Sequence, residues 1–331
     1  VIPVIDNNED LSNASTSYKV NVKAHDRSGF GFVRGTGATT KVTTNTSSGA
    51  YNDDGSLKDN AIVVYIANSN KDTVTATING VSCVGLQNII AGAKKQDTPL
   101  CIRLIGNITD PSVLEKGDLL IDALTCGITI EGIGEDTTLN GFGIRIKNSS
   151  NVEIRNLGFM NCNSSEGDNV GIQQGADHVW IHNCDMFYGD AGSDADQVKG
   201  DGALDTKKSS YITHSYNHFW DNGKCNLQGM KDEETTNYIT YHHNWYDHSD
   251  SRHPRIRTCS VHIYNNYFDG NAKYGVGMTM GGSAFVENNY FRSTSNLRPM
   301  MISGQGTDAM GEGTFSGEAG GIIKAFNNVF D

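Results

Sequence analysis

The sequence predicts an all-β protein, a parallel β-helix or solenoid with a short N-terminal capping helix. Three observations carry that prediction. A short phrase recurs through the second half of the chain, each copy follows a run of alternating apolar and polar residues, and no helix-length periodic segment separates the copies. A strand that returns about every 22 residues without a helical crossover stacks on its own previous turn instead of joining a doubly wound sheet.

The elements follow in chain order. The first 80 residues are rich in Thr, Ser, Asn and Gly, with a strand pattern at Ala61-Ile62-Val63-Val64-Tyr65-Ile66. Gly85 to Lys95 is the one amphipathic helical stretch; its closing lysines suit a C-terminal dipole, and it is expected to cap the open N-terminal end of the solenoid. From Leu100 onward strand patterns continue with few breaks. The recurring phrase is an Asn followed by two bulky residues, headed by Asn217, Asn244, Asn266, Asn289 and Asn328, with Asp185 placed in the same column. Coils stacked about 4.8 Å apart would let the Asn side chains form a hydrogen-bonded ladder and the aromatics stack in the core. On that reading Trp180, Trp220 and Trp245 are core residues rather than sugar platforms. A length of 331 residues suggests two domains by size alone. The continuous repeat replaces that expectation with a single domain over 1–331, in which 1–99 supply N-terminal strands and cap and 100–331 the main coils.

Composition narrows the function. Gly (38) and Asn (33) make up about one residue in five, as a fold with many turns requires, while Pro is only 5. The net charge of −12 excludes a nucleic-acid partner, which needs a dense basic surface, and no apolar run is long enough to span a membrane. A polyanionic substrate is also disfavoured unless a basic stripe or a bound cation reverses the field locally. The seven cysteines form no CxxC and no dense framework, so they read as small buried residues, with a Cys162–Cys184 bridge between coils as the one pairing considered. None of the ten histidines has a zinc spacing such as HExxH, and strand and core roles are expected for them. Asp190, Asp194 and Asp196 read as a solvated acidic loop rather than a second calcium site.

Four groups of ionisable residues stand 14 to 20 residues ahead of successive ladder positions: Glu166-Gly167-Asp168, Asp201 to Asp205, Lys224, and Arg252-His253-Pro254-Arg255-Ile256-Arg257. Similar offsets place them on one side of four adjacent coils, as an elongated groove acidic at one end and basic at the other. Asp168, Asp201 and Asp205, with Glu166 nearby, are hard oxygen ligands of the kind that suits Ca²⁺. Arg255 and Arg257 are two apart in an extended segment and share a face. Arginine is suited to bidentate carboxylate recognition, though a structural ion pair is an equal use for either.

At these residues the chain resembles the pectate lyase family of polysaccharide lyases. The resemblance runs from about Gly31 to the end and is strongest at Val179-Trp180-Ile181, Asp201-Gly202-Ala203-Leu204-Asp205-Thr206-Lys207, Tyr241-His242-His243-Asn244, and Arg252 to Arg257, which matches the family's R-x-P-x-x-R. It implies a right-handed, single-stranded parallel β-helix that cleaves polygalacturonate or pectin by β-elimination with Ca²⁺, as a secreted monomer. Carried over position by position, Asp168, Asp201 and Asp205 correspond to the primary calcium ligands and Lys224 to the lysine that binds substrate carboxylate. Arg252 corresponds to the catalytic base and Arg257 to a second substrate-binding arginine. Glu166 stands where one branch of the family has Asp, and His182-Asn183 replaces the usual Asp-His after Val179-Trp180-Ile181. An arginine is a poor base at neutral pH, so this role implies alkaline working conditions. The alternatives are a pectin lyase, which lacks the calcium carboxylates, a polygalacturonase, which would leave the basic cluster without a role, and a non-catalytic β-helix carbohydrate-binding protein.

Overall fold

The computed structural model describes residues 25–33, 48–94, 98–187, 201–230, 233, 237–271, 274–292, 300–303 and 320–331. Apart from the antiparallel pair Thr75–Ile78 and Val81–Val84, its strands are parallel and stack into a right-handed β-helix with three faces. The first face is an eight-stranded sheet that begins at Asp118–Asp122 and includes Val170–Gln173, Leu204–Thr206, Leu227–Gln228 and Arg255–Arg257. The second and third faces form one seventeen-stranded sheet, continuous through the bent strand Ile128–Asn140. One coil runs from Leu204–Thr206 on the first face to Ser210–Ser215 on the second, turns at Asn217, and returns along His218–Trp220 on the third.

The turn between the second and third faces explains the recurring phrase. Asn244 Oδ1 accepts from the backbone N–H and the side-chain Nδ2 of Asn217, both at 3.1 Å. The same paired contacts link Asn244 to Asn266, Asn266 to Asn289 and Asn289 to Asn328. Every amide in the turn is thereby satisfied by the next coil, which an interior turn requires. The ladder starts at Cys184, whose backbone N–H donates to Asn217 Oδ1 at 3.1 Å. Asp185 instead lies opposite His218, so its placement in the Asn column is corrected by one residue. The first member of the column only donates a backbone N–H, which any residue except proline can do.

Strand alternation sorts the aromatics. In His218–Trp220 and its successors only the middle residue points inward. Phe219, Tyr246, Phe268 and Phe291 stack in a core column that exposed Phe330 extends, with ring centroids 4.2 to 5.0 Å apart. Trp180 is buried as expected, but Trp220 and Trp245 are not core residues: they are 51 % and 40 % exposed on the third face. His218, Trp245, Tyr267 and Tyr290 form an outer stack, each nearly parallel to the next. Their ring faces cover one another and only edges face solvent, which is the wrong presentation for a stacked sugar ring.

Three further expectations are adjusted. The helix spans Leu86–Gly92, shorter than Gly85–Lys95, because Gly85 has a φ of 83° and stands outside the first turn. No basic residue lies in its last turn; Lys94 follows the helix and pairs with Asp122 at 3.3 Å. The helix buries Leu86, Ile89 and Ile90 and packs against Asp118–Asp122, the first strand of its sheet, so it does cap that end. All seven cysteines are thiols, five of them buried, and Cys162 and Cys184 are not bridged. The Asp190, Asp194 and Asp196 loop lies outside the described residues.

Ahead of the first strand, residues 25–33 cross the second face as a strap. Phe30 N–H donates to Thr240 Oγ1 and Gly31 N–H to Thr213 Oγ1, both at 3.0 Å. Beneath the strap, buried His182 stacks on Trp180 at 3.5 Å and contacts Glu153 Oε1 at 3.1 Å, so the altered His182-Asn183 pair serves packing. Among the described residues no helix is long and apolar enough to cross a membrane.

Candidate active site

The four ionisable groups sit where the chain enters successive strands of the first face, and backbone hydrogen bonds stack them directly. Asp201 N–H donates to Gly167 O at 2.7 Å, Ala203 N–H to Lys224 O at 3.0 Å, and Asn226 N–H to Arg252 O at 2.7 Å. Residues 34, 21 and 26 apart in sequence thus become neighbours about 4.8 Å apart.

Asp168 and Asp205 are the buried members, at 3 % and 1 % exposure. Asp168 Oδ1 accepts from Gly202 N–H at 3.1 Å and Asp205 Oδ1 from Leu227 N–H at 2.8 Å. Gly202 is what lets them approach: a Cβ there would lie 2.4 Å from Asp205 Oδ1 and 3.0 Å from Asp168 Oδ1. Burial pushes the Asp168 carboxyl well above the usual carboxylate range, and the neighbouring Asp205 charge pushes it further. Burial also raises Asp205, while the charges of Lys207 and Arg252 work the other way.

Lys207 is the residue that the sequence reading left without a role. Its Nζ lies 3.2 Å from Asp168 Oδ2, 3.8 Å from Asp205 Oδ2 and 3.7 Å from Glu166 Oε2. Burial disfavours its charge, but the surrounding carboxylates of Asp205, Asp168 and Glu166 outweigh that and raise it above the ordinary lysine value. A signal was available, since Lys207 stands two residues after Asp205, directly past the end of the strand Leu204–Thr206. Glu166 and Asp201 are half-exposed at the rim, and Asp201 Oδ1 accepts from Lys224 Nζ at 3.0 Å.

The basic end is built from the next coil. Arg255 lies opposite Leu227 and two coils beyond Asp205, and Ile256 between the two arginines points into the core. Arg255 and Arg257 therefore share the outer side of the strand. Arg255 is largely covered, and burial, reinforced by the Arg257 and Arg252 charges, lowers its guanidinium below the usual arginine range. Arg252 stands just ahead of the strand, partly exposed, with a φ of 64°.

The structure thus brings Glu166, Asp168, Asp201, Asp205, Lys224 and Arg252 into one stripe, with Arg255 and Arg257 on its basic flank. As a metal site, the donor set is all oxygen. Two of its carboxylates are buried against each other and only partly neutralised by Lys207, a deficit that a divalent cation with oxygen preference relieves. These residues fit Ca²⁺.

Comparison with known proteins agrees with the fold. Residues 24–323 match a family model described as pectate lyase. A pectate trisaccharide-lyase of Bacillus licheniformis is 32 % identical over 226 residues, covering 68 % of this chain and 63 % of that protein. Pectate lyase 1 of Pectobacterium atrosepticum is 36 % identical over 182 residues, 53 % of this chain and 48 % of that one. The matched stretch is therefore less than two thirds of either relative. A crystal structure of a Bacillus sp. N165 pectate lyase in complex with trigalacturonate superposes with a TM-score of 0.65 at 25 % identity, over 92 % of this chain and 86 % of that one. Pectate lyase C from Erwinia chrysanthemi, at pH 9.5 with Ca²⁺, gives 0.58 at 25 % identity over 78 % of each chain.

Proposed function

Because this chain belongs to the pectate lyase family, we propose that it cleaves (1→4)-α-D-galacturonan by calcium-dependent β-elimination, releasing 4,5-unsaturated oligogalacturonides. The observation that carries this reading is the stack of Asp168 and Asp205 on Gly202, with Lys224 and Arg252 entering from the next two coils. Trigalacturonate in the Bacillus sp. N165 relative and Ca²⁺ in the Erwinia chrysanthemi one support it.

Asp168, Asp201 and Asp205, with Glu166 at the rim, would hold Ca²⁺. When bound, the ion neutralises uronate and withdraws electron density from the carbon that loses its proton. Lys224 and Arg257 bind the uronate carboxylate and stabilise the charge that grows on it as C5–H breaks. Arg252 accepts the C5 proton, the electron pair forms the C4–C5 double bond, and the O4 glycosidic oxygen departs. A guanidinium accepts a proton only after giving up its own, which alkaline conditions favour, so activity rises with pH. Arg255, more covered, orients Arg257 and Arg252 by filling the strand's outer face between them. The stripe runs across open coils, as suits attack within a polymer, and every named group comes from one chain, as suits a monomer. A polymeric substrate places the enzyme outside the cell.

The test is polygalacturonate incubated with and without a chelator, following the ultraviolet absorbance of the unsaturated product. Calcium-restored absorbance that grows towards alkaline pH is expected. Product insensitive to the chelator would indicate a pectin lyase, reducing ends without absorbance a hydrolase, and binding without product a carbohydrate-binding module.

A further inference from the structure

Among the described residues, two groups of three metal-capable side chains bring ligand atoms within 4.8 Å of one another: Asp247, His248 and Asp269, and Asp26, His242 and His243. The carboxylates of the acidic stripe, spread over neighbouring coils, are not among these groups. In the first group Arg292 already clamps both Asp269 oxygens at 2.8 Å and His218 holds Asp247 Oδ2 at 3.1 Å. That group is a closed charge ladder.

The second group is built differently. We propose that Asp26, His242 and His243 form a divalent transition-metal site, with Cu²⁺ and Ni²⁺ preferred, which fastens the N-terminal strap to the β-helix. His242 Nδ1 and His243 Nδ1 lie 2.8 Å apart, with the ring planes at 85°. Two nitrogens bound cis at about 2.0 to 2.1 Å from one metal stand about 2.8 to 3.0 Å apart, against roughly 3.3 Å in a tetrahedron. The observed spacing matches the tetragonal arrangement, and imidazole donors disfavour Ca²⁺.

The rings are held for this geometry. His242 stacks on Tyr264 at 5.0 Å and His243 on Tyr216 at 4.7 Å. On its far side, His242 Nε2 meets Ser28 Oγ at 3.4 Å, so Nε2 can carry the proton and leave the Nδ1 lone pair for a metal. Tyr216 Oη donates to Asp26 Oδ2 at 3.4 Å and orients the carboxylate.

The backbone gives a second, independent reason. The residue before each ladder position has positive φ, and in four coils it is Asn: Asn183, Asn265, Asn288 and Asn327. Asn tolerates that conformation at little cost. Tyr216 and His243 are the two departures, at φ of 56° and 54°, and both belong to this cluster. Strained residues replace the easy one where the side chains are needed.

The full chain, stripped by a chelator and dialysed, should bind one equivalent of Ni²⁺ by calorimetry, uncompeted by Ca²⁺. His243→Ala and Asp26→Asn should each weaken it at least tenfold, whereas His248→Ala should not. The Cu²⁺ form should show two nitrogen donors by electron paramagnetic resonance, falling to one in His243→Ala. Asp26 is exposed, so its variant tests the site without disturbing the core. No Ni²⁺ binding by the folded wild type, or equal binding by wild type and both variants, would show that the histidines share only a hydrogen bond and would overturn the proposal.

Discussion

The turn between the second and third faces and the edge of the first face are built from the same coils, yet they treat repetition in opposite ways. At the turn the same residue recurs, and each Asn satisfies its neighbour, from Asn217 through Asn328. At the first-face edge each coil contributes something different: Asp168, then Asp201 and Asp205, then Lys224, then Arg252. Identical residues in register solve one structural problem many times over. Different residues in register assemble one chemical site, because stacking converts distant sequence positions into contacts.

The sharpest way to separate the two regions is Arg252→Lys. A lysine keeps the charge but not the planar fork, so kcat on polygalacturonate should fall about 10³-fold while the folded circular dichroism spectrum is retained. Full activity would remove Arg252 from the chemistry.

A pH titration probes the opposite region. His214 is fully buried between Ile181 and Tyr241 on the inner column, its carbonyl accepts from ladder Asn244, and burial pushes its imidazole down to about 3. Above pH 6.5 both the folded and unfolded forms are neutral. Below it the unfolded chain gains a proton that the folded chain refuses, so stability falls as pH drops from about 6.5 towards 3. At pH 5 the contribution is about 2 kcal/mol. Denaturant melts at pH 7 and pH 5 should show a loss smaller by that amount in His214→Gln.

Asn244→Ala tests the ladder itself. It leaves the buried Asn217 N–H and the His214 carbonyl without their partner and should cost about 2 to 3 kcal/mol in urea unfolding. Activity per folded molecule should stay near wild type, which a ladder role in catalysis would not allow.

The smallest expected effect joins the two regions. Gly202→Ala places a methyl 2.4 Å from buried Asp205 Oδ1, so the carboxylates must shift; stability should fall by about 1 kcal/mol and calcium affinity about tenfold, or about 1.4 kcal/mol. Unchanged calorimetric calcium binding would mean that the ion does not use these two carboxylates.

Much of the architecture was legible because period-2 alternation and a recurring Asn are local signals repeated many times. The errors fell where one copy departs from the rule. Cys184 heads the ladder through its backbone alone, so side-chain matching slipped to Asp185. Trp220 and Trp245 flank the inward-pointing residue of their copies, and the phrase by itself does not say which of its bulky residues points inward. At the site, residue types and coil offsets singled out the carboxylates, Lys224 and the arginines. The meaning of Lys207 comes in part from Glu166 and Asp168, which the preceding coil supplies.

The sequence by itself determined the solenoid, the ladder turn and the order of charged groups along one side, since each is written in spacing that the chain repeats. Only the tertiary structure decided the burial of Asp168 and Asp205, the place of Lys207 between them, and the meeting of Asp26 with His242 and His243. Those depend on contacts between segments up to 217 residues apart. Burial and close approach set the charge of an ionisable group, and neither is a property of its neighbours along the chain.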